Sequence, residues 1–317
     1  MVHTNRVFFK VCQYLSSIGC RVRLLSKRNM LLAPRLSCPT VPLSNGLQIP
    51  ILGLGTSHDG GYSHDAIVYA LTECGVRHVD TAKYYGCEEQ LGHAIGESGI
   101  PRRDLWITDK LWRGDYGYKD AKKACLDSCS RMGVEYFGIS YLYLMHWPEA
   151  TQPGLSNREM RADTWRALEE LHKEGTCSAI GVSNFLVHHL EELKEDCSVV
   201  PHVNQVEYHP FQQPNHLMEY CRQEGIVFEG YSPLGKGQVL NNPTVLHIAH
   251  KYGRTAAQIC IRWSIQNGVV TIPKSVKKKR IQENCQVFGF RLEESDMAAL
   301  GSLDDGRHVS WDPTNVE

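Results

Sequence analysis

Residues 76–88 read Val-Arg-His-Val-Asp-Thr-Ala-Lys-Tyr-Tyr-Gly-Cys-Glu, and they contain the pattern on which the fold prediction depends. A short β-branched run ends at Asp80, a tyrosine follows at Tyr85, and a helix start with acidic residues follows at Glu88. Such runs are typical of strands, and acidic residues favour the first turn of a helix. Asp80 is therefore either a turn former after the strand or a functional carboxylate at its end.

The same succession of strand, loop and helix recurs along the chain. Runs that predict strands lie at 51–55, 76–80, 105–109, 140–145, 179–183, 203–207, 226–231 and 269–273. Helical periodicity is found at 88–97, 119–132, 161–174, 186–195, 214–224, twice within 243–266, and at 277–287 and 293–302. Strict alternation predicts parallel strands joined by crossover helices. Eight such units predict an α/β fold, a closed (β/α)8 TIM barrel.

The segment around the first strand refines this prediction. Ser44-Asn45-Gly46 is a tight-turn sequence between apolar runs, so we expect a short N-terminal β-hairpin before the barrel. The alternative fold is a doubly wound open sheet, which needs a glycine-rich turn after its first strand. Gly53-Leu54-Gly55 begins such a turn, but position 58 is His where the third glycine would stand.

Composition excludes several classes of protein. The 317 residues are 42% hydrophobic and 22% charged with a net charge of -1, which gives no basic surface for nucleic acid. No apolar run reaches the roughly 18 residues of a membrane span. The 12 cysteines form no Cys-x-x-Cys pair and have no histidines at zinc spacing, so we expect a reducing compartment and no metal. The expected partner is a small molecule, and the expected state is a monomer.

The N-terminal region differs from the rest of the chain. Residues 1–58 contain no Asp or Glu, and residues 1–40 carry seven Lys or Arg. A basic, acid-free, serine-containing start is typical of a mitochondrial presequence. The alternatives are an extension without an address, or translation that begins at Met30. We therefore divide the chain into an extension at 1–41 and a barrel at 42–317, located in the cytoplasm or the mitochondrial matrix.

Polar side chains follow several of the predicted strands. The second strand ends at Asp80, the third runs into Lys110 and the fourth into His146. The carboxyl ends of barrel strands form the face that bears active sites, so we expect these side chains to converge there with Tyr85. An isolated Lys110 is also compatible with a solvated strand end, and an isolated His146 with a hydrogen-bonded core histidine.

Elementary chemistry indicates what this group of side chains does. A lysine ammonium favours the phenolate of a nearby tyrosine and lowers the phenol pKa, and a buried carboxylate balances that lysine. A histidine orients a carbonyl oxygen by donating a hydrogen bond. The set resembles a proton donor for a developing alkoxide. No side chain supplies a hydride, so a nicotinamide cofactor is the natural candidate.

Six ordered motifs make the resemblance specific. The sequence resembles the aldo-keto reductases over about residues 42–317. The stretches that carry the resemblance are Asp80–Glu89, Ile107–Trp112, Leu144–Pro148, Gly181–Phe185 with Asn204–Pro210, Gly230–Gly235, and Ile272–Val276 with Arg280, Glu283 and Asn284 downstream.

The resemblance implies a role for each matching position. Asp80, Tyr85, Lys110 and His146 match the catalytic tetrad, with Tyr85 as general acid. The cofactor is NADPH/NADP+, and the matching contacts are Gly55, Thr56, Ser183, Asn184, Gln205, Tyr231, Ser232 and Leu234. The positions that match the adenosine 2′-phosphate and adenine contacts are Lys274, Ser275, Arg280, Glu283 and Asn284. The expected substrate-binding residues are His146, Trp112, Trp147 and Trp311.

Two departures from the mammalian members of the family narrow the expected substrates. Position 57 is Ser where many of those members have a tryptophan, and only about 43 residues separate Tyr231 from Lys274. We therefore expect a compact, bacterial- or plant-like reductase with a short cofactor-clasping loop. The expected substrates are aldehydes and reactive ketones. The alternatives are a non-catalytic NADPH-binding regulatory or structural protein on the same fold, and a different barrel enzyme such as an isomerase.

Overall fold

A computed structural model describes residues 38–57, 60–133, 140–150 and 154–317. The chain there begins with the predicted hairpin, in which β1 (Thr40–Pro42) pairs antiparallel with β2 (Gln48–Pro50). Gly46 has a φ of 84°, a left-handed conformation that glycine adopts at little cost. The tight turn therefore follows from the sequence as expected.

Eight parallel strands form the main sheet, and each pairs with its neighbour in the sequence. They are β3 (Leu54–Gly55), β4 (His78–Asp80), β5 (Trp106–Leu111), β6 (Tyr141–Met145), β7 (Ala179–Ser183), β8 (Val203–Glu207), β9 (Val227–Tyr231) and β10 (Val270–Thr271). Parallel bridges Leu52–Thr271 and Gly55–Lys274 join the first and last strands. The sheet thus closes as a barrel, and the predicted (β/α)8 fold is confirmed.

Alternation along the strands divides the buried side chains between two layers. On β6, Leu142 and Leu144 belong to a small cluster inside the barrel that also contains Leu43 and Ile49 of the hairpin region. Tyr141 and the other alternate residues of β6 belong to the large cluster between the barrel and the helices. The hairpin therefore closes the amino-terminal end of the barrel with apolar side chains, which leaves the carboxyl end for polar groups.

The helices surround the sheet close to the predicted positions. They are α1 (His64–Thr72), α2 (Glu88–Ser98), α3 (Tyr118–Arg131), α4 (Asn157–Lys173), α5 (Val187–Asp196), α6 (Asn215–Gln223), α7 (Pro243–Tyr252), α8 (Ala256–Gln266), α9 (Lys278–Cys285) and α10 (Glu294–Gly301). The sequence patterns do not predict α1, which has no side-chain cap and contains Val68, Tyr69 and Thr72. Its buried face of Ala66, Ile67, Ala70 and Leu71 shows that tertiary packing outweighs this modest propensity.

The prediction for residues 1–41 falls almost entirely outside the described residues, because only positions 38–41 of that segment belong to them. The structure therefore leaves the extension and its address as a prediction. Within the described ranges, no helix has the length and apolar character required to cross a membrane.

Candidate active site

Three neighbouring strands bring the predicted tetrad together at the carboxyl end of the barrel. β4 ends at Asp80, Lys110 is the penultimate residue of β5, and His146 follows β6 directly. After β4, a single 3-10 turn at Lys83–Tyr85 places Tyr85 over the mouth of the barrel. Gly86, the C-cap residue that follows this turn, has a φ of 66°, so the turn can end there and lead into α2.

The Lys110 ammonium lies at the centre of this group and is shielded from solvent. Its Nζ is 2.7 Å from Asp80 Oδ1, 2.9 Å from the Thr81 carbonyl oxygen and 3.4 Å from the Tyr85 hydroxyl oxygen. Three oxygen partners match the three protons of an ammonium group. The buried ammonium therefore has a hydrogen-bond acceptor for each of its protons, and one of these acceptors is the phenol oxygen of Tyr85.

The pKa values of this cluster follow from competition between burial and charge. Burial raises the pKa of Tyr85 to about 12 even though the Lys110 ammonium acts to lower it. The expectation of a net lowering is thus wrong, because desolvation of the phenolate outweighs the attraction of the lysine. Burial opposes the charge on Lys110, but Asp80 and Tyr85 outweigh it and raise the pKa of the ammonium.

His146 stands beside the phenol within an aromatic wall. Its ring is edge-on to Tyr85, with 5.7 Å between the ring centroids. Tyr84 stacks on Trp112 at 4.1 Å, and Trp311 lies 5.5 Å from Tyr84. The expected substrate residues Trp112, Trp147 and Trp311 therefore meet around His146, with Trp147 buried behind Trp311 at 5.5 Å.

A cavity of about 650 Å³ opens above the tetrad. Asp80, Tyr85 and His146 line it, whereas Lys110 lies beneath Asp80 and the phenol. Nine of the expected cofactor residues also line it, and so does the expected substrate residue Trp311. The nine are Gly55, Ser183, Asn184, Gln205, Tyr231, Ser232, Leu234, Lys274 and Arg280. One elongated cavity therefore joins the reaction centre to the basic residues after β10.

The inner half of the cavity wall is a connected set of polar side chains. The Tyr231 hydroxyl donates to Asn184 Oδ1 at 2.8 Å, and the Asn184 amide donates to the carbonyl oxygen of His146 at 3.0 Å. Gln205 Nε2 donates to Asp80 Oδ2 at 2.8 Å. Asn184 has a φ of 64°, a left-handed conformation that asparagine tolerates better than most residues. The amides are therefore fixed in place beside the tetrad.

The remaining cofactor predictions lie close to the cavity without lining it. Thr56 is buried and donates its hydroxyl to the Asp80 carbonyl oxygen at 2.9 Å. Ser275 accepts a hydrogen bond from the Lys277 amide just before α9. Glu283 and Asn284 lie on α9, one turn beyond Arg280. Their roles as ligand contacts remain predictions.

The site also contains polar residues that the sequence patterns do not predict. Lys236 and Ser310 line the cavity, and Lys236 has a φ of 48°. Glu229 is buried inside the barrel, where it accepts a hydrogen bond from Gln205 Nε2 at 2.9 Å. Burial and the charge of Asp80 raise the pKa of Glu229 to about 8. Glu229 could have been predicted, because it lies two residues before Tyr231 on β9 and therefore on the same face of the strand. Ser310 could not, because it reaches the cavity from a segment far from the strands in the sequence.

The shape and chemistry of the cavity fit an elongated ligand with a flat polar head and an anionic end. The Tyr231 side chain and the amides of Asn184 and Gln205 stand at the reaction centre, and Lys274 and Arg280 stand at the other end. Between Tyr231 and α7 the chain forms only one short 3-10 segment, Gly235–Asn241. No long loop covers the cavity from this side among the described residues.

Comparison with known proteins gives a consistent result. A model of the aldo/keto reductase family matches residues 52–305. The glyoxal reductase of Bacillus subtilis is 43% identical over 278 residues, which cover 87% of this chain and 97% of that protein. The 9,11-endoperoxide prostaglandin H2 reductase of Trypanosoma cruzi is 43% identical over 280 residues, with 87% of this chain and 95% of that protein covered.

A solved structure agrees with these sequence matches. The crystal structure of a Bombyx mori aldo-keto reductase in complex with NADP superimposes with a TM-score of 0.80. The two chains are 32% identical, and the match covers 87% of this chain and 95% of the other. The likeness therefore extends over the barrel and its strand ends.

Proposed function

The chain belongs to the aldo/keto reductase family, and we propose that it reduces the carbonyl group of aldehydes and reactive ketones with NADPH. Its enzyme class is that of an NADP-dependent carbonyl reductase. The observation that carries the proposal is the buried Lys110 ammonium, which contacts both the Asp80 carboxylate and the Tyr85 hydroxyl. A structural ion pair would not need a phenol that faces a cavity.

Tyr85 is the proton donor in this proposal. With a pKa of about 12, the phenol holds its proton at neutral pH until negative charge develops on the substrate oxygen. Once the proton has left, the Lys110 ammonium at 3.4 Å stabilises the phenolate. Asp80 keeps the lysine charged and aimed at the phenol. Proton transfer therefore depends on all three residues.

His146 orients the carbonyl group in this proposal. Its ring stands edge-on to Tyr85, so a carbonyl oxygen placed between the two rings would meet two donors. Tyr84, Trp112 and Trp311 surround this position with apolar surface. Removal of water strengthens both hydrogen bonds, because the local dielectric constant is lower.

The cofactor residues fit NADPH. Bound NADPH supplies the hydride, which no side chain can provide. Asn184 and Gln205 would hold the carboxamide, and the Tyr231 ring would support the flat nicotinamide. Lys274 and Arg280, together with Ser275, would hold the adenosine 2′-phosphate by charge-assisted hydrogen bonds. NADH lacks this phosphate, so these contacts would favour NADPH. The Bombyx mori relative was solved with NADP, which supports this assignment.

The open cavity supports small, reactive carbonyl substrates. Ser57 lines the wall at the position where a larger side chain would narrow it. Two of the relatives, the glyoxal reductase and the prostaglandin endoperoxide reductase, are named for substrates that differ greatly in size. We propose that dicarbonyls and aromatic aldehydes are both accepted, with Trp311 in contact with the larger ones.

An absorbance assay of cofactor oxidation tests the proposal. Purified protein is mixed with NADPH or NADH and, in turn, a short aldehyde, a dicarbonyl, an aromatic aldehyde and a ketosteroid. We expect turnover of the first three with NADPH, a marked preference over NADH, and none in the Tyr85→Phe control. NADPH binding without oxidation of any carbonyl would reject the proposal in favour of a non-catalytic NADPH-binding protein.

We also propose that residues 42–317 act as a monomeric reductase domain and that residues 1–41 carry a mitochondrial address. The basic, acid-free composition of the extension supports the address. A fluorescent fusion of residues 1–42 should enter mitochondria, and a diffuse signal would leave the enzyme in the cytoplasm. Size-exclusion chromatography with light scattering should give the monomer mass.

A further inference from the structure

Glu207 is a buried carboxylate that the proposed mechanism does not use. It ends β8, its side chain is 2% exposed, and it does not line the cavity. A buried carboxylate is costly unless several donors satisfy it. The donors around Glu207 therefore indicate what it stabilises.

Two of these donors come from a segment 102 and 103 residues further along the sequence. We define the C-terminal strap as residues 304–312. The Val309 amide donates to Glu207 Oε1 at 2.7 Å, and the Ser310 amide donates to Glu207 Oε2 at 3.1 Å. Both carboxylate oxygens thus hold consecutive backbone N–H groups of the strap.

Two histidines complete the surroundings of Glu207. His209 Nε2 lies 2.7 Å from Oε1, and His308 Nδ1 of the strap lies 3.4 Å from Oε2. Burial acts against the charge of Glu207, but the bonds from His209 and Val309 outweigh it and hold the pKa of the carboxyl below its ordinary value. The carboxylate is therefore ionised at neutral pH, and its hydrogen bonds to the strap are charge-assisted.

The bound strap delivers a side chain to the aromatic wall. Trp311 follows the two bonded amides directly, lines the cavity, and lies 6.1 Å from His146 and 5.7 Å from Trp112. The Trp311 side chain is 40% exposed, so neighbouring residues pack against it on one side and leave the other side open. The hydrogen bonds at Val309 and Ser310 are the nearest fixed points for its position.

We propose that Glu207 is a positioning residue that ties the C-terminal strap to β8 and so places Trp311 in the substrate pocket. Its backbone pairs with that of Tyr231 between β8 and β9, but the hydrogen bonds described for its carboxylate go to His209 and the strap and not to the tetrad. Its effect should therefore concern the binding of large apolar carbonyls more than small ones. This kinetic consequence rests on the proposed function, whereas the tether itself does not.

Limited proteolysis tests the tether without any activity measurement. Arg307 is the trypsin site within the strap, and its side chain is 49% exposed. Glu207→Gln replaces one oxygen by a donor and removes the charge, so we expect cleavage after Arg307 to accelerate about tenfold, in line with the loss of a charged hydrogen bond. Glu195→Gln, which removes an exposed partner of Arg158, is the matched control and should leave cleavage unchanged.

Steady-state kinetics test the link to Trp311. In Glu207→Gln we expect the KM for an aromatic aldehyde to rise about tenfold, with little change in kcat or in the KM for a short dicarbonyl. In a Trp311→Ala background the same substitution should have no further effect on KM, because a residue that acts through Trp311 is not additive with it. A purely structural role would lower kcat for all substrates alike.

The possible outcomes separate the two claims. Unchanged cleavage and unchanged KM in Glu207→Gln would overturn the tether, and an additive effect in the Trp311→Ala background would overturn the link to Trp311. If no carbonyl is reduced by the wild-type chain, the proposed function fails and proteolysis alone decides the tether. If Glu207→Gln does not fold, Glu207→Asp, which keeps the charge but shortens the reach, takes its place with the same expectations.

Discussion

The interior of the barrel and the layer between barrel and helices both bury ionisable side chains, but they use them differently. Lys110 points inward to Asp80 and Tyr85 beneath the cavity. Its neighbour Asp109 points outward, where it accepts hydrogen bonds from the Lys110 amide at 2.8 Å and from the Tyr141 hydroxyl at 3.1 Å. Alternation along one strand thus places one charge in the site and the next in the packing layer.

The contrast shows that a shifted pKa alone does not identify an active site. Burial, with a further contribution from Glu88, raises the pKa of Asp109 to about 8. Asp109 nevertheless has Glu88, Tyr141 and the thiols of Cys125 and Cys129 as its neighbours, and it does not line the cavity. Convergence of several strand ends on an open cavity distinguishes the interior group. Substitutions at four positions test whether the interior group, and not the outer layer, carries the activity.

Replacing Lys110 should have the largest effect. Lys110→Met leaves the Asp80 carboxylate buried without its cation, so we expect the free energy of unfolding to fall by about 3–5 kcal/mol and carbonyl reduction to be lost. Urea unfolding and NADPH oxidation measure the two effects. Lys83→Met is the control, because its ion pair with Asp115 is partly exposed and should contribute no more than about 1 kcal/mol. Equal effects of the two substitutions would contradict the special role of the interior.

Replacing His146 should have the next largest effect, and on turnover more than on stability. His146→Asn shortens the donor and withdraws it from the carbonyl position, so we expect kcat/KM to fall by roughly 10²–10³-fold. Cofactor binding, measured by tryptophan fluorescence, should be nearly unchanged. Wild-type turnover in this variant would place the carbonyl elsewhere in the cavity.

Replacing Asp109 should affect the pH dependence of stability but not activity. The folded chain holds a proton on Asp109 up to about pH 8, while the unfolded chain releases it near 3.8, so this residue lowers the free energy of unfolding as the pH rises between these values. Asp109→Asn should therefore make the free energy of unfolding less dependent on pH. Glu229, whose pKa is also raised to about 8, contributes equally to the wild type and the variant, so the difference between them isolates Asp109. Thermal unfolding from pH 4 to pH 8 measures the difference. A large loss of activity in a folded Asp109→Asn variant would extend the site into the outer layer.

Replacing Tyr84 should have the smallest effect. Tyr84 is exposed and stacks on Trp112, and Tyr84→Phe keeps this ring contact. We expect kcat and KM to stay within about twofold of wild type, as for most exposed substitutions. If Tyr84→Phe loses activity instead, then Tyr84 and not Tyr85 donates the proton.

Much of this distinction could be predicted from the sequence. The eight strands follow from β-branched runs between helical stretches, and once they are placed, Asp80, Lys110 and His146 must meet at one end of a barrel. The five-residue spacing from Asp80 also selects Tyr85 over Tyr84, and the structure places the Tyr85 hydroxyl against Lys110. Local patterns suffice for these residues because each lies at or beside a strand end.

Features that depend on contacts between distant segments could not be predicted. The net rise in the Tyr85 pKa reflects desolvation of the phenol by the segments packed around the barrel mouth, which spacing does not reveal. Helix α1 is stabilised by packing that its own propensity does not indicate. The bonds from Glu207 to the strap join residues 102 and 103 positions apart. Such contacts are formed by the folded barrel and leave no local pattern in the sequence.

A single-turnover experiment on Tyr85→Phe tests the central claim most directly. The protein is loaded with NADPH and mixed with an aldehyde in a stopped-flow instrument, and cofactor oxidation is followed beside a fluorescence titration of NADPH binding. We expect the oxidation rate to fall by roughly 10²–10⁴-fold, the range for loss of a general acid, with an unchanged Kd for NADPH. Oxidation at the wild-type rate in Tyr85→Phe would show that another group donates the proton.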